Sequence, residues 1–259
     1  MSNPVRVERD GPLAIMTFDH PPVNLWDKAL DAGFRDALTD IESNPPRALL
    51  IRAEGRVFTG GVDVSVFDEA AESNTYIELL EGLLEFPTRI EAFEFPVVFS
   101  AHALTLTWAL EVALACDIIL AADDCSFGLV EARIGLTPAM GGTQRFAARA
   151  GDGRAREFVM TGEPFPATSL HEWGVVNRLY PADQVDAEAH KLAMRLANGP
   201  TRAHYATKQI LREARDAGVA AADAITPRVS GELFETEDLL GGVKSFLTEG
   251  FGKAKFNGH

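Results

Sequence analysis

The sequence predicts an α/β fold with much parallel strand pairing and a helical C-terminal third. Two observations lead to this prediction. In the first 122 residues, short apolar runs with strand character alternate with segments whose apolar residues recur at helical spacing. From Gly141 onward, helical periods that end in glycine predominate. A chain of 259 residues is long enough for one large domain with a substantial core.

The expected elements begin with a hairpin. VRVERDGPLAIMTFD alternates and then runs apolar around Asp10-Gly11, which predicts a β-hairpin that leads into a buried strand. WDKALDAGFRDALTDIESN predicts a helix with Asn24 or Asp27 as its N-cap. The next elements alternate in type: strands at 47–53, 96–101 and 117–122, with helical sequence from about 65 to 92.

Helices dominate the remainder of the chain. Five stretches have helical period: TQRFAARAG, GRAREFVMTG, ATSLHEWG, PADQVDAEAHKLAMRLANG and TRAHYATKQILREARDAG. A single strand is expected at 175–180, and the last 60 or so residues read as almost wholly helical. We therefore divide the chain into a core of residues 1–198 and a helical segment of residues 199–259, a kind of extension that packs on a neighbouring subunit.

Charge and composition exclude several classes of function. The apolar fraction is 46% and the charged fraction 24%, as in soluble globular proteins. With 38 acidic residues against 24 Lys plus Arg, the net charge is -14, which argues against general affinity for nucleic acids or anionic membranes. An anionic ligand would have to be held by local donors such as backbone N–H groups or a few basic side chains.

The cysteines and the N-terminus point to a reducing compartment. Cys116 and Cys125 both lie in apolar sequence and are expected to be buried free thiols. MSNPVRVERDGPL has no apolar core of a signal peptide, so we expect a cytoplasmic protein.

A long apolar run with one glutamate near its centre needs an explanation. LTLTWALEVALACDIILAA, residues 104–122, contains Glu111 and Asp117 and has no basic flanks, so it predicts a buried helix and a buried strand and not a membrane span. An ionised carboxylate in such a run loses hydration or acquires a raised pKa. Glu111 therefore requires a partner or a function.

Common catalytic motifs are missing from the sequence. It has no G-x-S-x-G, no H-E-x-x-H, no paired Cys/His spacing, no P-loop and no complete dinucleotide fingerprint. Four features remain: VFTGGVD at 57–63, LTWALEVALACD within the apolar run, SFGLVEARIGLTPAMGG at 126–142, and the GGTQRF that overlaps its end. Each alone has a structural explanation, glycine for a turn or glutamate on a solvated face.

Together these features resemble the crotonase family, the enoyl-CoA hydratase/isomerase superfamily. FTGGVD is similar to the F-x-A-G-x-D loop of that family, TWALEVALACD to its G-G-G-x-E-L-A-L-x-C-D helix start, and FGLVEARIGLTPAMGGTQR to its F-G-x-x-E…P-x-x-G-G-T-Q-R stretch. MTGEPFPATSLHEWGVVNRLYP and ETEDLLGGVKSFL extend the likeness over almost the whole chain. The resemblance implies a crotonase-like β-β-α superhelix core with a C-terminal helical oligomerisation segment.

The resemblance also implies a set of catalytic groups. The N–H groups of Val62 and Trp108 would hold the thioester oxygen of an acyl-CoA in an oxyanion hole. Glu111 would orient and activate water, and Glu131 would donate a proton to Cα. No metal and no cofactor is implied, because the CoA thioester is the substrate.

The substrate-binding residues are implied less directly. The CoA cleft would be lined by the backbone near Asn24, Leu25 and Trp26 and around Gly60, Gly61 and Val62, with Asp63 beside it. The tail with Lys253, Lys255 and Phe256 would reach the 3′-phosphate or adenine, of its own or of a neighbouring subunit, and the alternative for the lysines is a solvated tail. The acyl pocket would involve Phe67, Leu83, Phe86 and Met140, for which a place in the core is the alternative. Pro138 and Gly141 are also expected to bind substrate.

Trp108 marks a departure from the family pattern. Thr107-Trp108-Ala109 replaces the family glycines, which let the backbone approach the ligand closely. The indole would lie either near the acyl group or in the core, and a positive φ at Trp108 would disfavour so bulky a side chain.

The implied function is enoyl-CoA hydratase: a 2-enoyl-CoA gains water and becomes a 3-hydroxyacyl-CoA, in a homotrimer or a dimer of trimers. An enoyl-CoA isomerase or another crotonase reaction would use the same oxyanion hole. A protein that binds acyl-CoA without turnover is the third possibility, with Trp108 as the obstructing residue.

Overall fold

The computed structural model describes residues 3–259. Within that range the strands, in chain order, are β1 Val5–Asp10, β2 Leu13–Phe18, β3 Ala48–Ala53, β4 Val97–Ala101, β5 Thr105–Leu106, β6 Ile118–Ala122, β7 Ser126–Gly128, β8 Phe165–Pro166 and β9 Arg178–Tyr180. The first helices are α1 Lys28–Ser43, α2 Ser65–Ser73, α3 Tyr76–Ala92, α4 Trp108–Ala115, α5 Gly142–Ala150 and α6 Asp152–Thr161. The later helices are α7 Ala167–Glu172, α8 Val185–Ala197, α9 Thr201–Ala217, α10 Val219–Gly231 and α11 Glu237–Glu249, and 3₁₀ turns span Glu131–Ile134 and Glu232–Glu235.

A six-stranded sheet forms the centre of the fold. Its strand order is β1-β2-β3-β4-β6-β9; the β1–β2 pair is antiparallel and every later pair is parallel. β2 and β4 are buried along their whole length, as expected for parallel strands covered on both faces. The predicted α/β class with parallel pairing is confirmed.

Several local predictions are confirmed in detail. β1 and β2 form the hairpin, with Val5 opposite Phe18. Asp27 is the N-cap of α1, because its side chain accepts hydrogen bonds from the N–H groups of Ala29 and Leu30 at 3.0 and 2.8 Å. The apolar run forms the buried helix α4 followed by strand β6.

Two predicted elements differ from the structure. The helical stretch from 65 to 92 is two helices, because Asn74 adopts a left-handed conformation with φ 56° and ends α2. The strand predicted at 175–180 is confined to β9, since the N–H groups of Val175 and Val176 bind the carbonyl of Leu170 and not a neighbouring strand.

A second, small sheet was not predicted. It has the order β5-β7-β8, and its strands are two or three residues long, too short for a period of two to be visible in the sequence. β5 follows the end of β4, and an isolated bridge joins Thr59 to Thr105. The loop after β3 and the loop after β4 are thereby held side by side.

The C-terminal helices pack on the sheet domain through polar contacts. Lys208 of α9 donates to Asp117 at 2.8 Å and to the Phe95 carbonyl at 3.1 Å. Arg47 donates to the Gly199 and Phe256 carbonyls. The predicted division after residue 198 falls just before α9, and a separate role for residues 199–259 stays a prediction.

Other sequence expectations can be compared directly. Cys116 and Cys125 are buried free thiols, as predicted, and burial raises the pKa of both. None of the helices in residues 3–259 combines the length and apolar character that a membrane crossing requires. Over the same residues, no group of three or more His, Cys, Asp or Glu side chains is arranged to hold a metal ion.

Candidate active site

A cavity of about 260 Å³ lies where the loops after β3 and β4 meet the segment after β7. It brings together many residues selected from the sequence: Trp26, Gly60, Gly61, Val62, Phe67, Leu83, Trp108, Glu111, Glu131 and Met140. Larger cavities lie elsewhere, among them one beside α5 and α9 and one around α11. Neither of these contains the two glutamates.

The backbone N–H groups of Val62 and Trp108 lie in the cavity wall and have no hydrogen-bond acceptor among residues 3–259. Trp26 and Val62 form a parallel bridge through the neighbours of Val62: the Trp26 N–H donates to the Gly61 carbonyl, and the Trp26 carbonyl accepts from the Asp63 N–H. The Val62 N–H takes no part in these two bonds. Trp108 is the first residue of α4, so its N–H has no acceptor in its own helix.

The Trp108 side chain belongs to the core. It is 1% exposed, and its ring lies 5.0 Å from that of Phe18 and 5.5 Å from that of Trp26. The indole Nε1 donates to Thr59 Oγ1 at 3.0 Å and to the Gly61 carbonyl at 3.1 Å. The indole therefore links the start of α4 to the loop that presents Val62.

The strained backbone position is Thr107 and not Trp108. Thr107 has φ 46° and ψ -120°, in a region that β-branched residues rarely occupy. Trp108 is the first helical residue of α4 and does not have the positive φ that would disfavour its bulky side chain.

Glu111 lies in α4, every residue of which is buried. Its Oε1 accepts hydrogen bonds from the Met140 N–H at 2.8 Å and from the Gly142 N–H at 2.9 Å. Gly142 is required there, because a Cβ at that position would lie 2.7 Å from Glu111 Cγ. The apolar helix thus holds its one carboxylate against the N-terminal end of α5.

Glu131 begins the 3₁₀ turn after β7, with 7% of its surface exposed, and its Oε2 has no hydrogen-bond partner among residues 3–259. Burial, and then the charge of Glu131, raises the pKa of Glu111 to about 8. Burial raises the pKa of Glu131 to about 7. Because both pKa values are raised and the two charges repel, one carboxyl can stay protonated and act as an acid while the other acts as a base.

Other residues selected from the sequence do not line the cavity but lie in the segments next to its wall. The Asn24 side chain donates to the Glu54 and Phe58 carbonyls and holds the loop that precedes Gly60. Asp63 accepts from the Ser65 N–H at 3.0 Å, ahead of α2. Leu25 is half-buried next to Gly60, Pro138 is buried, and Gly141 precedes α5 with φ 82°.

Three selected residues lie apart from the cavity. Phe86 packs in the core, with its ring stacked 4.8 Å from that of Phe34. Phe256 lines the cavity around α11, and its carbonyl accepts from Arg47. Lys253 is exposed in the same tail. Within one chain the tail is therefore not part of the site.

The sequence did not identify several lining residues. Thr107 and mostly apolar residues complete the wall: Val64, Val66, Val130, Arg133, Ile134, Leu136 and Ala139. The signal for Thr107 was its place in the glycine run of the family motif. Nothing in the sequence distinguishes the apolar residues from core residues.

The site thus combines two free amide donors, two carboxyls with raised pKa values and an apolar wall. Such a site can stabilise a developing oxyanion and move protons at adjacent carbon atoms.

Comparisons with known proteins agree with this geometry. The family model for enoyl-CoA hydratase/isomerase matches residues 8–258. The probable enoyl-CoA hydratase of Bacillus subtilis (strain 168) is 27% identical over 259 residues, covering 99% of each chain. The 2,3-dehydroadipyl-CoA hydratase of Escherichia coli (strain K12) is 30% identical over 198 residues, 76% of each chain.

The crystal structure of enoyl-CoA hydratase subunit I from Geobacillus kaustophilus HTA426 superposes with a TM-score of 0.90 at 27% identity, covering 99% of this chain and 98% of that one. The chain belongs to the enoyl-CoA hydratase/isomerase family and has the crotonase fold.

Proposed function

We propose that the protein is an enoyl-CoA hydratase that adds water to a 2-enoyl-CoA and forms a 3-hydroxyacyl-CoA. The observation that carries this proposal is the pair Glu111 and Glu131, which line one cavity together with the free N–H groups of Val62 and Trp108. An acyl-CoA binding protein would have no need of two buried carboxyls in that cavity, because each costs free energy when it ionises.

The two amides would stabilise the transition state electrostatically. When water adds to Cβ of the unsaturated thioester, negative charge develops on the thioester oxygen as an enolate. Donors that are already oriented in a largely dry site stabilise that charge strongly, and the loss of one typically costs about 3–4 kcal/mol of barrier. Trp108 is also the first residue of α4, so the positive end of that helix adds to the effect.

The proton balance requires both carboxyls. Glu111 accepts a proton from water while the water oxygen bonds to Cβ, and Glu131 gives its proton to Cα. One water molecule is added in total, and the pair still holds one proton, now on Glu111. Transfer of that proton back to Glu131 restores the starting state.

Substrate binding would decide which carboxyl begins as the base. The pKa values of both carboxyls are raised to similar levels, about 8 for Glu111 and about 7 for Glu131. At Glu111 the N–H groups of Met140 and Gly142 oppose this rise, because they favour the ionised form. Substrate entry removes the remaining solvent from Glu131, the more exposed of the two, and raises the pKa of that carboxyl further.

Substrate contacts are proposed from the same cavity. The apolar residues around Phe67 and Met140 would receive the acyl group, and the backbone near Trp26 and Gly60 would receive the pantetheine arm. The proposed reaction uses no metal and no cofactor beyond the CoA thioester itself.

We further propose assembly as a homotrimer or a dimer of trimers. In its support, α11 and the tail expose large apolar side chains, among them Val243, Leu247 and Phe251. They line a cavity of about 790 Å³ that is open to solvent. A patch of this kind on a single chain indicates a protein interface.

Glu111→Gln and Glu131→Gln should each lower kcat/KM by about 100-fold or more, because each removes one proton-transfer group. The measurement is the loss of conjugated-thioester absorbance with short and long 2-enoyl-CoAs. Glu163→Gln is the matched control, since this exposed glutamate lies outside the cavity and should leave turnover unchanged. Tight binding of CoA esters without turnover by the wild type would overturn the proposal. Conversion of a 3-enoyl-CoA that needs only one glutamate would indicate an isomerase instead.

The pH profile of kcat/KM should be bell-shaped, with both limbs near the raised pKa values of about 7 and about 8. Below this range both carboxyls are protonated and no base remains, and above it both are ionised and no acid remains. Residual activity of Glu111→Gln should fall only at high pH, and that of Glu131→Gln only at low pH. A flat wild-type profile from about pH 5 to about pH 10 would contradict the assignment.

Gly142→Ala should reduce kcat/KM by about 10- to 100-fold, because the added Cβ would lie 2.7 Å from Glu111 Cγ and 3.0 Å from its Oε1 and would displace the carboxylate. Gly153→Ala is the control, since a Cβ at that position meets no atom within 4 Å. Steady-state kinetics and thermal melting of both variants separate displacement from unfolding. Equal activity of the two folded variants would show that Glu111 is not positioned by this contact.

Leu247→Glu should shift the assembly towards single chains, because a charge on the exposed apolar face of α11 opposes its burial. Sedimentation velocity gives the molecular mass. Glu249→Lys, at the exposed end of the same helix, is the control. A wild-type protein that sediments as a single chain would refute the proposed assembly.

A further inference from the structure

Thr107 is the one residue of the cavity wall whose backbone and side chain are both unusual. Its φ of 46° is a conformation that glycine adopts readily and a β-branched residue does not. The side chain is only 5% exposed, and Oγ1 has no hydrogen-bond partner among residues 3–259. Both features lower stability, and strain of this kind concentrates at sites where it serves function.

The position of the hydroxyl relates it to both proposed oxyanion donors. Thr107 directly precedes Trp108, whose N–H is one of them. On the other side, a Cβ built on Gly61 would lie 3.6 Å from Thr107 Oγ1 and 3.7 Å from its Cγ2, and Gly61 directly precedes Val62. The Thr107 side chain therefore lies between the two segments that carry the free amides.

The polar groups of this cavity show a pattern. Glu111 Oε1 is occupied by two backbone N–H groups. The Val62 and Trp108 amides, Glu131 Oε2 and Thr107 Oγ1 have no partner within residues 3–259. Three of these four groups are those that the proposed reaction brings into contact with substrate, and the hydroxyl is the fourth.

We propose that the Thr107 hydroxyl donates a hydrogen bond to the thioester oxygen of the bound acyl-CoA, as a third donor beside the two backbone amides. This inference rests on the proposed acyl-CoA site. A glycine at this position could supply no such donor. The hydrogen bond from the hydroxyl would strengthen as charge develops on that oxygen and so lower the barrier. The unfavourable φ costs stability, and this gain in catalysis is what the side chain would provide in return.

The first test compares variants that differ in the hydroxyl alone. Thr107→Val keeps the shape and removes the donor, and it should lower kcat/KM by about 10- to 100-fold at unchanged thermal stability. Thr107→Ser keeps the donor and should stay within about 3-fold of wild type. Thr107→Gly removes the donor and the strained side chain, so it supplies a folded test should Thr107→Val fail to fold. Full activity of the folded Val or Gly variant would overturn the inference.

A binding measurement separates this inference from the proposed hydratase activity. Calorimetry compares butanoyl-CoA, a saturated thioester, with S-butyl-CoA, a thioether that lacks the carbonyl oxygen. A wild-type preference for the thioester establishes the oxyanion site even if no hydration is observed. Thr107→Val should weaken thioester binding by about 3- to 10-fold and leave thioether binding unchanged, with Thr107→Ser resembling wild type. An equal change for both ligands, or no change for either, would overturn the role of Thr107.

Discussion

The site depends on one buried carboxylate and the two backbone N–H groups that hold it. Glu111 occupies a helix that is otherwise apolar and buried, where an ionised group without partners would be strongly disfavoured. The N–H groups of Met140 and Gly142 provide those partners at 2.8 and 2.9 Å. Met140 and Gly142 follow Glu131 in the chain, so the same two hydrogen bonds tie the segment after Glu131 to α4. This contact helps to bring the two glutamates to one cavity.

The parallel sheet explains why the N–H groups of Val62 and Trp108 lie in the same cavity as the glutamates. β3 and β4 are adjacent and parallel, and each is followed by a loop that carries a free amide at its far end. Catalytic groups commonly lie beyond the carboxyl ends of parallel strands, because several loops meet at that edge. Here the bridge between Thr59 and Thr105 holds the two loops together. The strands are ordinary core, and the loops at their carboxyl ends carry the proposed oxyanion donors.

The sequence indicated the two glutamates of the candidate site more clearly than the cavity around them. Glu111 was conspicuous because a carboxylate inside an apolar run demands an explanation, and the spacing to Glu131 matched a family motif. The lining residues Ile134 and Leu136 carried no such signal, since an apolar side chain has the same pattern whether it faces core or ligand. Phe86 illustrates the same ambiguity, because it was selected for the acyl pocket and packs against Phe34 instead. The orientation of the Trp108 indole was open for a related reason: it depends on Thr59 and Gly61, which are far away in sequence.

The bonds from the Trp108 indole to Thr59 and Gly61 have a consequence for adaptability. The Trp108 indole is hydrogen-bonded to the loop that carries Val62, so a change in the spacing between the Val62 and Trp108 amides would disturb these bonds and the packing of the indole against Phe18. Ligands of different bulk must then be accommodated by the opposite side of the cavity, where Val66 and Phe67 are only partly buried and Ile134 is exposed. Acyl preference is accordingly expected to depend on α2 and the 3₁₀ turn, and the spacing of the two proposed oxyanion donors to stay fixed.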